Sequence, residues 1–216
     1  MTSLHEEINA TIASFKKKAS QEKQRLYAQA IKELEESGVA QGLKIGDKAP
    51  NFSLPNPSGK IVNLSDELTK GPVILNFYRG GWCPYCNLEL RAYQRALPEI
   101  HELGAQIIAI SPQTPDASLT TQEKDALEFP VLSDKDGEVA NHYQLIFKLQ
   151  DYLIDLYRQA GFDLEKSNGN QKWELPKPAT FVLDQKGTII FAHVSSDYKE
   201  RTDPTKVLTI IRNMNK

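Results

Sequence analysis

Cysteine is almost missing from this chain: two residues in 216, Cys83 and Cys86. That scarcity excludes a disulfide scaffold and a four-thiolate zinc site within one chain. Long apolar runs are missing too. None approaches the roughly 18 residues that span a bilayer, so no membrane segment is expected. Nor is there an excess of one charge. The 26 basic and 28 acidic side chains leave a formal net charge of −2, which offers no electrostatic reason to expect nucleic acid as a partner. The start, Met1 to Glu7, has no apolar secretory core, so a cytoplasmic protein is expected. No repeat, low-complexity tract or Gly-rich phosphate loop occurs, and no cofactor is expected. His5, His101, His142 and His193 are scattered, without metal-ligand spacing, so no metal is expected either.

What is present reads as an ordinary globular composition, 40% apolar and 25% charged. Leu4, Ile8, Ile12 and Phe15 recur at helical spacing. Leu26, Ala30 and Leu34 continue the pattern after a polar break, predicting a helical stretch from Leu4 to about Glu36. Its seven basic and six acidic residues up to Lys44 suit a solvated amphipathic arm lying on the domain or on a partner copy, which leaves room for a homodimer. Residues 1–42 are therefore read as a helical extension, and 43–216 as the main domain. There the pattern alternates. Val73–Tyr78 and Gln106–Ser111 suit buried strands, Cys83 to about Leu103 a helix, and Ser167–Asn170 an exposed loop. Ala179–Asp184 and Thr188–His193 suit a hairpin, and Pro204–Met214 a closing helix. Strand–helix–strand units followed by a hairpin and a helix predict an α/β domain with a mixed sheet.

The two cysteines are three apart, a spacing that random placement gives about one time in 100. They fall where the Val73–Tyr78 strand gives way to a helix. A helix N-terminus carries unpaired N–H groups and partial positive charge, which favour a thiolate. A second cysteine one turn along can resolve a mixed disulfide by intramolecular attack. Pro84 in the first turn costs no hydrogen bond. Dithiol redox chemistry is the expectation.

The segments Ala49–Leu54, Pro72–Tyr78 and Cys83-Pro84-Tyr85-Cys86 together resemble the AhpC/TSA peroxiredoxin-like branch of the thioredoxin superfamily. The resemblance runs from about Leu43 to Met214 and implies a thioredoxin-like fold, a mixed central sheet flanked by helices. Pro178–Asp184 looks like the superfamily's cis-proline segment, with Pro178 facing the cysteines and Lys177 just before it. An X–Pro bond lowers the cost of cis to about 0.5–1 kcal/mol. Two patterns then compete. The peroxiredoxin pattern puts Cys86 at the attacking position, Cys83 where threonine stands and Arg79 where proline stands, and its arginine would align near Pro178. The thioredoxin pattern makes Cys83 attack and Cys86 resolve. Arg79 is expected either beside the thiolate, binding a peroxide or carboxylate oxygen, or facing solvent. Lys177 either favours the thiolate or is an exposed loop lysine. Trp82 is expected to cap the site as an apolar lid. The resemblance implies a thiol-dependent peroxidase acting on hydrogen peroxide or organic hydroperoxides, re-reduced by a thioredoxin-like or small-thiol reductant. A disulfide reductase or isomerase and a redox-sensing binding protein are the alternatives.

Overall fold

The computed structural model describes residues 2–214. Strands β1 (Ser53–Pro55) and β2 (Ile61–Asn63) pair with each other, and the centre is a five-stranded sheet in which Val131–Ser133, Gln106–Ser111, Val73–Phe77, Ala179–Leu183 and Ile189–Val194 lie side by side in that order. β3 (Val73–Phe77), β4 (Gln106–Ser111) and β5 (Val131–Ser133) run parallel, and β8 (Ala179–Leu183) and β9 (Ile189–Val194) add antiparallel partners. Every residue of β3 is buried, which is why it reads as a continuous apolar run rather than an alternation. Successive side chains still divide between the faces. Ile74, Ile107, Ala109 and Val182 pack under α4 (Pro84–Glu102) and α9 (Pro204–Met214). Val73, Leu75, Phe77, Ile108, Ile110 and Phe181 pack on the opposite face against Phe52, Leu54 and Tyr143. This is the expected α/β architecture, with β3 leading directly into the cysteine-bearing helix.

The predicted N-terminal helix is two helices, α1 (Leu4–Lys18) and α2 (Gln21–Glu36). Ala19 leaves the helical region, and Ser20 caps α2 by accepting a hydrogen bond from the Lys23 N–H. Ser3 and Glu6 form a capping box at the start of α1. Leu4 and Ile8 enter the core beside α4, and Ala30 joins a separate apolar cluster with Leu153, Leu156 and Tyr157 of α7 (Asp151–Gln159).

Two local expectations need correction. Ser167 and Asn168 belong to a short helix, α8 (Leu164–Asn168), and Asn168 is buried rather than looped out. No peptide bond among the described residues is cis, so the Lys177–Pro178 bond is trans. The chain arrives extended from β7 (Glu174–Pro176), which pairs with β6 (Ile146–Lys148), and continues extended into β8. A trans bond keeps that line.

Candidate active site

β3 ends at Phe77, and the chain turns through Tyr78-Arg79-Gly80-Gly81-Trp82 before Cys83, the N-cap of α4. The turn is held from several sides. The Tyr78 N–H donates to the Ile110 carbonyl at 3.0 Å, and the Cys83 N–H to the Gly80 carbonyl at 3.0 Å. The Gly81 N–H donates to Gln113 Oε1 at 2.9 Å, and Asn87 Nδ2 donates to the Gly81 carbonyl at 2.9 Å. A Cβ on Gly81 would lie 2.2 Å from Thr121 Oγ1 on α5 (Pro115–Lys124), so only glycine lets the turn approach that helix. Gly81→Ala should therefore destabilise the fold by about 1–3 kcal/mol in urea unfolding, with part of the loss restored when Thr121→Ala removes the clashing oxygen.

Both sulfurs are buried: Cys83 is 1% exposed and Cys86 0%. Arg79 Nη1 approaches Cys83 Sγ at 4.0 Å, and the Arg79 backbone N–H donates to Cys86 Sγ at 3.4 Å. Arg79 is buried, not solvent-facing. Its guanidinium donates to the Tyr157 hydroxyl and lies against the rings of Trp82 and Tyr198, 4.9 and 4.5 Å from their centroids. Such contacts suit a planar, weakly hydrated cation. Among the described residues Arg79 Nε has no hydrogen-bond partner.

A second guanidinium, not foreseen from the sequence, serves Cys86. Arg201 Nη2 donates to Cys86 Sγ at 3.3 Å, and Nη1 pairs with Glu89 at 2.7 Å. Glu89 also accepts from Thr180 Oγ1 at 3.4 Å, and Thr180 accepts from Asn76 Nδ2 at 3.3 Å. The sheet register sets Asn76 directly opposite Thr180, so this polar chain is built into strand pairing. Glu89 was findable: Cys86, Glu89 and Tyr93 share one helical face at i, i+3 and i+7. Arg201 gave no signal, lying 115 positions from Cys86 in a charged segment that reads as a solvated loop. It supplies a cation at the thiols, where this chain has Pro178 at the place of the aligned pattern's arginine.

The charges separate the two thiols. Burial raises the Cys83 pKa, but a hydrogen bond from Cys86 together with Arg79 and Arg201 outweighs it and brings the thiol down to about 5. Burial, reinforced by hydrogen bonding toward Cys83, pushes Cys86 well above the usual thiol range. At neutral pH the pair is thus a Cys83 thiolate facing a Cys86 thiol. Burial also raises Glu89, with Arg201 opposing. Alkylation of reduced protein by iodoacetamide should then follow Cys83. The rate is expected to be flat above about pH 6 and to fall as pH drops through about 5; a rise continuing to pH 8–9 would show an ordinary thiol.

Cys83, and not Cys86, lines a cavity of about 640 Å³. Arg79, Trp82, Tyr157, Phe162 and Tyr198 form its inner wall, and Ile12, Phe15, Tyr27 and Ile31 of α1 and α2 roof it. Trp82 packs against Tyr157 and Phe162 at 5.5 and 5.3 Å between centroids, so it is a wall of this cavity. Lys177 and Pro178 are not among its lining. They border a smaller neighbouring space with Arg79 and Tyr157. Lys177 is 2% exposed rather than a loop lysine on the surface. Burial holds its ammonium below the usual range, and the cations that act on Cys83 are Arg79 and Arg201. No group of three or more His, Cys, Asp or Glu able to hold a metal occurs among the described residues.

A mixed sheet with a dithiol at a helix N-terminus is the arrangement of a thioredoxin-like fold. The AhpC/TSA family pattern matches residues 45–192, and the chain belongs to that family. It is 37% identical over 114 residues to the thiol-disulfide oxidoreductase ResA of Bacillus thuringiensis subsp. konkukian, covering 52% of this chain and 65% of that protein. The chain thus spans a little under two thirds of that relative's length. Against the peroxiredoxin Bcp of Escherichia coli K12 it is 28% identical over 170 residues, 79% of this chain and 96% of Bcp. The crystal structure of peroxidoxin BcpB from Mycobacterium tuberculosis superposes with a TM-score of 0.63 at 25% identity, covering 80% of this chain and 98% of that one. None of the described helices is long and apolar enough to cross a membrane.

Proposed function

We propose that the protein is a thiol-dependent peroxidase in which Cys83 attacks and Cys86 resolves. The observation that carries this reading is the asymmetry of the pair: Cys83 lines the cavity beside Arg79, while Cys86 lies behind it on Arg201. The Cys83 thiolate attacks the terminal oxygen of a hydroperoxide. The S–O bond forms as the O–O bond breaks, Cys83 becomes a sulfenic acid, and the departing alkoxide takes a proton and leaves as the alcohol. The Arg79 guanidinium is placed to stabilise the negative charge that develops on the peroxide oxygens. The Cys86 thiol then attacks the Cys83 sulfur, water leaves, and a Cys83–Cys86 disulfide remains for an external thiol to reduce. Trp82 shapes the cavity, and Lys177 and Pro178 support the inner wall from behind. The fully reduced protein, mixed with one equivalent of an alkyl hydroperoxide, should lose both thiols and two mass units. Gain of oxygen atoms with no disulfide would refute the assigned resolving role.

The likeness to ResA favours a second reading, disulfide exchange with the same dithiol. Both sulfurs are buried and the arm roofs the cavity that opens on Cys83, which argues against macromolecular disulfides as substrates. A model protein disulfide should react far more slowly than a small hydroperoxide, and the opposite order would make exchange the primary activity.

A further inference from the structure

The peroxidase reading requires a reductant, and the region around Cys83 restricts what that reductant can be. The two helices over the site lie outside the segment matched by the family pattern, which begins at residue 45. They are anchored at both ends. Leu4 and Ile8 are buried against α4, and Arg95 pairs with Glu7 at 3.0 Å. At the other end Glu33 accepts hydrogen bonds from Tyr152 at 2.7 Å and Gln150 at 3.3 Å. Between these anchors Ile12, Phe15, Tyr27 and Ile31 cover the approach to Cys83. A protein dithiol must bring its own sulfur into line with the disulfide, and the roof occupies that approach.

The cavity itself has the size of a small-molecule site and a one-sided charge. Among the described residues Lys16, Arg25, Arg79 and Lys199 line it, and no Asp or Glu does. Lys199 is already paired with Asp197 at 2.6 Å, whereas Lys16 and Arg25 are exposed at the rim. Arg79 sits at the deep end, at the sulfur, with its Nε unpartnered. The cavity therefore offers an apolar, aromatic body, a cation at the reacting end and two cations at the mouth.

We infer that the Cys83–Cys86 disulfide is reduced by a low-molecular-weight thiol bearing carboxylates, which enters the cavity beneath the N-terminal helices, and not by a protein dithiol. The small thiolate attacks Cys83 Sγ, and the bond to Cys86 breaks. Cys86 leaves as a thiolate beside Arg201 and takes a proton. A second small thiolate then attacks the ligand sulfur of the mixed disulfide and releases the Cys83 thiolate together with the oxidised small disulfide. Two thiols are thus oxidised for each protein disulfide reduced, and the second step expels the better leaving group.

The full chain, oxidised with diamide so that no peroxide chemistry is involved, tests this. Its reduction is followed by mass spectrometry with glutathione, a tripeptide thiol with two carboxylates, with the dimethyl ester of glutathione, and with a thioredoxin. Glutathione should act about fivefold faster than the ester at equal thiolate concentration, as two exposed charge contacts allow. Lys16→Glu combined with Arg25→Glu should abolish that preference without unfolding the chain, since both side chains are exposed. Equal rates for acid and ester, or micromolar thioredoxin outpacing millimolar glutathione, would overturn the inference. Because the assay starts from chemically formed disulfide, a failure of the peroxidase reading appears separately, in the reaction of reduced protein with hydroperoxide.

Discussion

Cys83→Ser should abolish catalytic peroxide consumption, whereas Cys86→Ser should keep one rapid oxidation per chain and then stop. The reason is positional as well as electronic. Only Cys83 opens on the cavity, and only Cys83 has its thiol brought down, to about 5, while Cys86 is held as a thiol by burial. Serine at 83 removes the nucleophile, and the remaining sulfur does not line the cavity. The expected loss is about a thousandfold or more, the scale seen when an activated nucleophile is removed. Serine at 86 leaves the first step intact but removes the resolving sulfur, so Cys83 should accumulate as sulfenic acid or go on to higher oxidation states. Steady-state and single-turnover peroxide assays on both variants distinguish the roles. If Cys86→Ser lost the first oxidation while Cys83→Ser kept it, Cys86 would be the attacking thiol.

The second large effect is on stability. Arg201 is 5% exposed and Glu89 2%, and they are joined at 2.7 Å. Arg201→Met should lower the unfolding free energy by about 3–5 kcal/mol, because it leaves an unpaired carboxylate in the interior. The cost is not the worth of the ion pair itself. Combining Arg201→Met with Glu89→Met should therefore recover much of the loss, since replacing both partners by apolar groups strands no charge. Urea unfolding of the reduced proteins gives the comparison. A single-variant loss below about 1 kcal/mol would mean that Glu89 is hydrated or already protonated in the native state.

The fold was largely legible because its signals are local. Val73–Phe77 and Gln106–Ser111 are apolar runs of strand length, and the cysteine pair marks the start of α4. The boundary between α1 and α2 was blurred because one amphipathic period continues on both sides of Ala19 and Ser20. Asn168 and Lys177 were misplaced for a common reason: polar residues between elements read as surface, yet tertiary packing covers both. The dithiol could be read from spacing, and Arg79 from its place at the strand end. Arg201 could not, because its nearness to Cys86 is made by the return of β9 and the segment after it, a contact across 115 positions that no local pattern encodes. The roof over Cys83 was hidden similarly. Ile12 and Phe15 showed an amphipathic face, but not what that face covers.

The second-order rate constant for hydroperoxide with the fully reduced protein, set beside that of free cysteine at pH 7, measures what the surroundings of Cys83 add to its reactivity. Ionising Cys83 does not by itself make it fast, because a thiolate of low pKa is also a weaker nucleophile, and the two effects roughly offset. Any clear excess over free cysteine must come from the fixed surroundings of the sulfur, chiefly Arg79. An excess of about 100-fold or more is expected, of the order supplied by one preorganised donor at a developing oxyanion, and it should be lost in Arg79→Met. A rate equal to that of free cysteine, unchanged in Arg79→Met, would mean that Cys83 is not a peroxidatic thiol activated by Arg79.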